Sequence, residues 1–568
     1  MYIATVPNRG SPPAILLREG YREGGKVKNR TLANLSAWPP EQVELLRRVL
    51  RGERLAPVDQ LWEVVASPHH GHVQAVRLAM RRLGVEPLLA ARPSRERALV
   101  VAMIGARILE PDSKLATTRW WHTTTLPADL GVADADEDDL YAAMDWLLAR
   151  QARIERKLAA RHLRAGGLVL YDLTSSDFEG TTCPLAAFGH DRDGKKGKLQ
   201  VNYGLLTEAR GCPVAVSVFP GNTGDPTTLL PEVTRVRTDF GIEQLVLVGD
   251  RGMISQTQIT ALQALEGVDW ITALKTGAIR DLVTGGHLQL GLFDERNLFE
   301  LTSPEFPGER LVACRNPELA TLRARKRQAL LDATRRELEK VRGMVARGRL
   351  AGPDAIGVRV GKVVNKYKVA KHFRLDIRAD GFDFAIDEAQ VAAEAALDGL
   401  YVIRTSVPPA RLGTADAVRS YKQLSQVERA FRTLKMIDLA VRPIHHRLED
   451  RVRAHIFLCL LAYYVEWHMR AAWRPLLFAD EDLDAKATRD PVAPAARSEA
   501  ALRKVHGKVL DDGTPVHSFR TLLTELSGVV RNVCRRQGAA ADEPTFTILT
   551  TPNAKQQRAY DLLETITV

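Results

Sequence analysis

The pattern of apolar and polar positions changes twice along the chain. Residues 2–36 alternate apolar with polar positions around a turn-forming NRGSPP segment, which predicts short strands. Between 72 and 164, apolar residues recur at intervals of three and four, which predicts several amphipathic helices. From 167 onwards, apolar runs of strand length alternate with helical patterns. We therefore expect a β-rich lead-in, a mostly helical N-terminal domain and an α/β core.

Three strands in succession open the α/β region, and helices and strands then alternate. The predicted strands cover 167–175, 199–211, 212–221, 243–250 and 268–275, and the predicted helices cover 227–241 and 255–267. This order is typical of a ribonuclease H-like mixed sheet, which presents acids at the ends of its strands. The fold class expected for the core is therefore α/β.

The α/β pattern is interrupted between about 276 and 410. A highly charged helix over 318–350 carries an imperfect apolar stripe, and alternation over 373–386 predicts a hairpin, so we expect an α+β insertion domain. The predicted divisions are a β-rich lead-in and helix with a possible DNA contact (1–60), a helical domain (61–165), the first part of the core (166–275), the insertion (276–410), the second part of the core (411–475) and a C-terminal region (476–568).

Composition and charge narrow the class of protein. Lys and Arg (80) exceed Asp and Glu (69) by 11, and the sequence pI of about 9.4 favours a polyanionic partner. The five cysteines are scattered without a CxxC pair, so neither a disulfide framework nor a zinc finger is expected. The first residues lack a signal-peptide pattern, and no run of 18 residues is free of charge. We therefore expect a cytoplasmic protein without a membrane segment.

Two aspartates each follow a buried apolar strand. Asp172 ends the run LVLYD, and Asp250 ends the run LVLVGD. An acid at the carboxyl end of a strand lies at the rim of the sheet, where the backbone is rigid and a substrate can reach it. Acids on adjacent strands repel each other unless a cation lies between them, and a divalent metal is the usual solution. Either aspartate alone could simply begin a turn, whereas the pair predicts a metal site.

A third acid, Glu428, lies in a helix predicted near the end of the core. Steps of three and four place it on one helix face with Tyr421, Leu424, Phe431 and Lys435. Glu428 could then reach the metal, with Tyr421 and Lys435 beside it. An amphipathic helix that turns its apolar residues to the core gives the same pattern, and periodicity does not separate the two interpretations.

Basic residues accompany the predicted acids. Lys196 and Lys198 lie in a glycine-containing loop between the first two core strands, Arg251 directly follows the second aspartate, and Arg432 lies one turn after the glutamate. Each could contact DNA phosphates, since phosphate contacts fix the position of a protein on DNA. A solvated lysine loop and arginines that pair with acids inside the fold fit the same sequence.

Three segments carry a family resemblance. YDLTSSDFEG, LVGDRGMIS and YKQLSQVERAFRTLK resemble the DDE transposases of bacterial insertion sequences, over about residues 167–469. The third-acid helix of the group reads Tyr-x2-Arg-x3-Glu-x6-Lys, and Tyr421, Glu428 and Lys435 stand at the matching positions. Leu424 occupies the arginine position, so the phosphate contact of that arginine is not expected here.

The resemblance implies a ribonuclease H-like fold and two Mg²⁺ ions, for which Mn²⁺ can substitute. It also implies that the three acids have the roles of the corresponding acids in the family. By that likeness Asp172 bridges both ions, whereas Asp250 and Glu428 hold one each. The implied partner is double-stranded DNA, as terminal inverted repeats and as target, bound by a homodimer in a synaptic complex on the bacterial nucleoid. Carboxylates suit this chemistry because Mg²⁺ prefers oxygen ligands.

Three functions are compatible with the sequence. An active transposase would cleave strands at the element's ends and join them to target DNA. A catalytically silent DNA-binding regulator could retain the scaffold, although the intact set of acids argues against it. A ribonuclease H-like nuclease or resolvase would use the same metals, but it would not need the large insertion or the Tyr/Glu/Lys helix.

Overall fold

The computed structural model describes residues 1–53, 61–190, 192, 194–195, 197–294, 296–482, 488–493 and 496–568. They form two units, Met1–Pro68 with Val530–Thr550, and His69–Val529 with Thr551–Val568. In chain order the strands are β1 (Tyr2–Asn8), β2 (Ser11–Glu23), β3 (Lys26–Asn34), β4 (Trp62–Ala66), β5 (Leu168–Asp177), β6 (Gln200–Glu208), β7 (Pro213–Pro220), β8 (Leu245–Val248), β9 (Val268–Ala273), β10 (Leu298–Leu301), β11 (Arg310–Arg315), β12 (Phe373–Ile377), β13 (Phe382–Ile386), β14 (Leu400–Thr405), β15 (Arg531–Arg536) and β16 (Phe546–Leu549).

The described residues of the smaller unit form two three-stranded antiparallel sheets and the helix Pro40–Leu50. β1, β2 and β3 follow one another as a meander, and β15 pairs with both β4 and β16. Gly24 and Gly25 form the turn between β2 and β3, with φ of 56° and 78°. A two-residue turn of the hand that suits twisted strands needs positive φ at both positions, and glycine adopts it without strain.

The larger unit contains most of the helices. They are Gly71–Arg82, Val85–Leu89, Arg95–Leu109, Lys114–Trp120, Leu126–Leu130, Glu137–Leu148, Gln151–His162, Asp225–Thr238, Gln256–Gln263, Thr276–Thr284, Pro317–Ala346, Pro353–Tyr367, Glu388–Ala395, Thr414–Lys422, Leu424–Arg432, Glu449–Ala472, Glu499–Gly507, Phe519–Ser527 and Ala554–Glu564. Side chains cap the N-termini of several of these helices. The hydroxyl of Ser94 accepts a hydrogen bond from the N–H of Arg97 (3.2 Å), and Asp136 forms a capping box with Asp139.

An eight-stranded mixed sheet forms the centre of the larger unit, in the order β10-β11-β14-β9-β8-β5-β6-β7. β8 is parallel to both β5 and β9, and the other neighbours are antiparallel. Every residue of β6 is buried. A strand covered on both faces needs a continuous apolar or hydrogen-bonded run, which explains why the core strands do not alternate apolar with polar residues. The prediction of an α/β fold with a large mixed sheet is confirmed.

The interrupting region contributes to this sheet and also forms a core of its own. β10, β11 and β14 extend the sheet beyond β9. The two helices Pro317–Ala346 and Pro353–Tyr367 instead pack with the β12–β13 hairpin around a separate apolar cluster that includes Leu338, Ile356 and Phe373. Part of the region predicted to be an insertion is therefore continuous with the core sheet, and the predicted domain boundaries stay a prediction.

The helix Glu449–Ala472, termed the long buried helix below, packs against Arg95–Leu109, Glu137–Leu148 and β7. It is buried along nearly its whole length because it is apolar all round, as expected of a helix surrounded by protein. Its buried Glu466 pairs with Arg470 (2.5 Å), one turn further on. Among the described residues, none of the helices combines the length and the apolar character needed to cross a bilayer.

Candidate active site

Asp172 and Asp250 lie on neighbouring parallel strands. β5 pairs with β8 through Leu170 and Val248, and each aspartate stands two residues beyond its member of that pair. This register therefore places the two aspartates side by side at the edge of the sheet where β8 ends. Parallel neighbours present their carboxyl ends at one edge, so this proximity follows from the topology.

The apolar run LVLYD ends at Asp172, but the strand itself continues past it. The sequence predicts a strand over 167–175, and β5 extends to Asp177. The extra residues remain in the sheet because β6 pairs with β5 as far as Asp177, although β8 has already departed. Asp172 is thus held inside a strand on one side and is open to the rim on the other, where the second aspartate lies.

A tight turn fixes Asp250. Its Oδ1 accepts hydrogen bonds from the backbone N–H groups of Gly252 and Met253 (3.2 Å for Met253), and the residue itself is exposed. Gly249 precedes it in a crowded position, since an added Cβ would lie 2.9 Å from Cδ1 of Ile254. The local sequence Gly-Asp-Arg-Gly-Met therefore lets the chain turn sharply and presents a carboxylate in a defined orientation.

The carboxyl group of Asp172 is strongly affected by its neighbours. Burial first, and then the charges of Asp250, Asp225 and Glu428, raise its pKa from 3.8 to about 7, against a hydrogen bond from the N–H of Leu173 (2.8 Å). Like charges raise a carboxyl pKa only when they are close and poorly screened. The structure therefore brings the three acids predicted from the sequence into one site.

Glu428 belongs to the helix Leu424–Arg432, termed the Glu428 helix below, which packs on β5. Its Val427, Ala430 and Phe431 are buried, and the ring of Phe431 meets that of Tyr203 edge-on at 6.0 Å. Glu428 itself is exposed. Apolar anchoring of one face thus holds the carboxylate on the opposite side, free of the core.

The continuous helix predicted from Tyr421 to Lys435 is interrupted. Tyr421 belongs to the preceding helix, Thr414–Lys422, and a turn at Gln423 separates that helix from the Glu428 helix. Lys435 lies in a π-helical turn, Thr433–Ile437. Spacing in steps of three and four does not detect a one-residue break, and wide turns of this kind are frequent at functional sites.

Tyr421 nevertheless faces the acids. Burial first, and then the charge of Asp250, raise its pKa to about 12, while Arg251 acts in the opposite direction and Glu428 and Asp172 add to the increase. A hydroxyl whose pKa responds to all three carboxylates lies beside them. The phenol stays protonated at physiological pH and can donate a hydrogen bond into the site.

The three acids form a set of oxygen donors without a balancing cation. In the part of the chain that the structure describes, no lysine or arginine forms an ion pair with Asp172, Asp250 or Glu428. The nearby Asp177 and Glu179 differ, because Lys195 (2.9 Å) and Lys198 respectively pair with them. Carboxylates that form no ion pair with the described residues suit a hard divalent cation such as Mg²⁺.

The predicted basic contacts fall into three groups. Arg251 and Arg432 are exposed next to the acids. Lys198 is exposed but pairs with Glu179, and Lys435 is buried within the π-helical turn. Lys196 lies outside the described residues. The two arginines are therefore the predicted contacts that a phosphate could reach directly.

Sequence reasoning missed one acid near the site. Asp225, the first residue of the helix that follows β7, contributes to the raised pKa of Asp172 and pairs with Arg192. The signal was an acid at the start of a helix that follows a core strand, in GNTGDPTT, where Pro226 occupies an early helical position. Its ion pair with Arg192 distinguishes it from the three acids, for which the described residues supply no such pair.

The family described as Transposase DDE domain matches residues 167–465, a range that contains Asp172, Asp250 and Glu428. The chain belongs to this family. Residues 3–58 match a second family, the N-terminal domain of IS1634 family transposases, so the chain is a DDE transposase of an insertion sequence.

Other comparisons are more distant. A cryo-EM structure of the piggyBac transposase synaptic complex with hairpin DNA resembles the chain at 8% identity and a TM-score of 0.34, over 80% of this chain and 76% of that one. No curated protein matches the sequence.

Proposed function

We propose that the chain cleaves DNA strands at the terminal inverted repeats of its element and transfers them into target DNA, with Asp172, Asp250 and Glu428 as the catalytic carboxylates. The raised pKa of Asp172, caused by burial and by the other acids, is the observation that supports this proposal most directly. Family membership supports the transposase class, and the carboxylate cluster would supply the centre for its chemistry.

We further propose that the core is ribonuclease H-like. Support comes from the strand order β7-β6-β5-β8-β9, in which three sequential antiparallel strands adjoin two parallel strands reached through helices. In this arrangement the first and fourth strands of the core, β5 and β8, are neighbours. Their acids then meet at one edge of the sheet, and a third acid from a later helix completes the set.

The proposed cofactor is a pair of Mg²⁺ ions, for which Mn²⁺ can substitute. The donor set fits these ions, because three carboxylates lie together and none of them is paired with a cation among the described residues. When bound, the ions would supply activation of a water or 3′-hydroxyl and stabilisation of the leaving oxygen. By family likeness Asp172 would contact both ions, and Asp250 and Glu428 one each.

The remaining residues would position DNA. The backbone N–H groups that bind Asp250 fix its orientation, and the protonated Tyr421 can donate a hydrogen bond beside the carboxylates. Exposed Arg251 and Arg432 can bind phosphates, as can Lys198 if DNA displaces Glu179. The net charge of +11 favours DNA as partner. We propose action as a homodimer in a synaptic complex, on the nucleoid in the bacterial cytoplasm.

Strand cleavage at the element's ends tests the proposal. With Mg²⁺ present, Asp172→Asn, Asp250→Asn and Glu428→Gln should each lose more than about a hundredfold in cleavage rate, because even the outer partners of metal ligands cost about 10- to 100-fold. DNA binding, measured in parallel, should persist. Asp380→Asn, an exposed acid between β12 and β13, makes the same change of charge and should keep full activity.

The outcomes separate the alternatives. Cleavage that survives in Asp250→Asn contradicts the assigned site. Tight binding of the ends by the unsubstituted chain, without cleavage in Mg²⁺ or Mn²⁺, indicates a DNA-binding regulator. Cleavage without strand joining indicates a nuclease.

A further inference from the structure

Three potential metal ligands meet at a second place in the larger unit. His162 ends the helix Gln151–His162, Cys212 lies between β6 and β7, and His468 lies in the last turns of the long buried helix. One ligand atom from each lies within 4.8 Å of the others, and Sγ of Cys212 is 3.7 Å from Nε2 of His468. Cys212 and His468 are buried, and His162 is half-buried.

We infer that His162, Cys212 and His468, termed the His–Cys–His cluster, bind a zinc ion. Two imidazoles and a thiolate are donors that zinc prefers over magnesium or calcium. With usual Zn–S and Zn–N distances and a tetrahedral angle, the sulfur and nitrogen ligands lie about 3.6 Å apart. The separation between Cys212 and His468 is already close to this value.

Neighbouring side chains hold the ligands in place. The hydroxyl of Tyr464 lies 3.0 Å from Nε2 of His162, and its ring meets that of His468, one turn further along the long buried helix, at 4.8 Å. Glu208 accepts hydrogen bonds from the backbone N–H groups of Arg210 and Cys212, which shapes the turn that carries the thiol. Hydrogen bonds that orient ligating groups in this way are typical of metal sites.

The cluster also lies next to a turn that contacts the Glu428 helix of the proposed active site. It ties together a helix end, the β6–β7 turn and the long buried helix, which are distant in sequence. In the same turn, Gly211 lies against the Glu428 helix, since an added Cβ would be 2.7 Å from Cβ of Gln426. An ion in the cluster would therefore stabilise the surface on which Glu428 is carried. Three protein ligands leave the fourth position of a tetrahedral ion to water, and this inference does not depend on the proposed function.

Metal analysis of the full chain tests this inference. The protein is produced without a metal-binding tag and with Asp172→Asn and Asp250→Asn, so that the carboxylates do not contribute. We expect about one zinc per chain. Cys212→Ser and His468→Gln should each lower zinc content at least about tenfold, whereas Cys314→Ser, a buried cysteine without a histidine contact among its described partners, should not.

Cobalt substitution gives a second readout. Co²⁺ bound by a thiolate shows a charge-transfer band that carboxylate or imidazole ligands do not give, so the unsubstituted chain decides the matter even if Cys212→Ser fails to fold. The band should be present in the unsubstituted chain and in Cys314→Ser. Protein that contains no zinc and shows no such band overturns the inference, as does zinc binding that is unchanged in Cys212→Ser.

Discussion

The carboxylate site and the His–Cys–His cluster differ in both donor chemistry and access. The carboxylate site offers three oxygen donors, and two of them, Asp250 and Glu428, are exposed. The cluster offers nitrogen and sulfur donors, and Cys212 and His468 are buried. Open oxygen sites exchange hard ions and admit a substrate, whereas closed nitrogen and sulfur sites hold zinc and support the fold. Under the two proposals, these differences direct Mg²⁺ to the carboxylate site and zinc to the His–Cys–His cluster of the same chain.

The largest expected effect is that brief chelation removes strand cleavage but leaves the zinc of the His–Cys–His cluster in place. EDTA should lower strand cleavage more than about a hundredfold, and added Mg²⁺ should restore it, because an exposed oxygen site exchanges its ions readily. Zinc in the buried cluster should stay with the protein over the same minutes. The measurements are cleavage rate and zinc content on one sample before and after desalting.

Two outcomes of the chelation experiment would break the contrast. Cleavage that persists in EDTA would argue against a metal-dependent carboxylate site. Activity that Zn²⁺ restores but Mg²⁺ does not would mean that the cluster, and not the three acids, limits the reaction.

The two sites also differ in how far the sequence reveals them. Asp172 and Asp250 follow apolar strand runs, and the order of strands and helices then places them on neighbouring strands. Glu428 is predicted only through the resemblance of the Tyr421–Lys435 segment to the family motif, because periodicity fits an amphipathic helix equally well. Five strands of the mixed sheet, β5 to β9, follow equally from local patterns, because apolar runs report burial directly, whereas β10, β11 and β14 lie in the region predicted to be an insertion.

Features that depend on tertiary pairing could not be predicted from the sequence. β5 extends two residues beyond its predicted end at Ser175, to Asp177, because β6 continues to pair with it, and no local signal specifies that partner. The break at Gln423 leaves the apolar spacing intact. His162 and His468 are 306 positions apart and join only after the long buried helix packs on the sheet. Such ligands carry no spacing motif, unlike a zinc finger.

Gly211→Ala should reveal how closely the two sites are connected. Gly211 has φ of 86°, and an added Cβ would meet Gln426 at 2.7 Å, so alanine is strained by both backbone and contact. We expect a loss of about 2 to 3 kcal/mol in the free energy of unfolding. Because Gln426 is two residues before Glu428, strand cleavage should also fall at temperatures where the variant is folded.

Gly361→Ala is the matched control for that change. Gly361 lies inside the helix Pro353–Tyr367 with open space around the added Cβ, and alanine favours helix, so stability should be unchanged or slightly higher. If Gly211→Ala were as stable as the unsubstituted chain, the β6–β7 turn would not brace the Glu428 helix.

The smallest expected effect concerns the stability of metal-free protein. The pKa of Asp172 is raised from 3.8 to about 7 in the folded chain, by burial first and then by neighbouring acids. The folded state therefore binds more protons here than the unfolded state. The resulting contribution to stability is complete below about pH 4 and is lost as pH rises through about 7. In EDTA, unsubstituted protein should lose stability between about pH 5 and pH 8 for this reason.

Asp172→Asn removes this titration and should flatten part of the pH dependence. The difference in free energy of unfolding, variant minus unsubstituted protein, should be about 1 to 2 kcal/mol larger at about pH 8 than at about pH 5. This value is discounted for partial solvent access. Glu232, which is remote in sequence and has a pKa also raised to about 7, is common to both proteins, so its effect cancels in the difference. Denaturant unfolding at both pH values measures it. Parallel pH profiles for the two proteins would mean that neither burial nor the neighbouring acids raise the pKa of Asp172 in the folded chain, which would remove the main support for the carboxylate site.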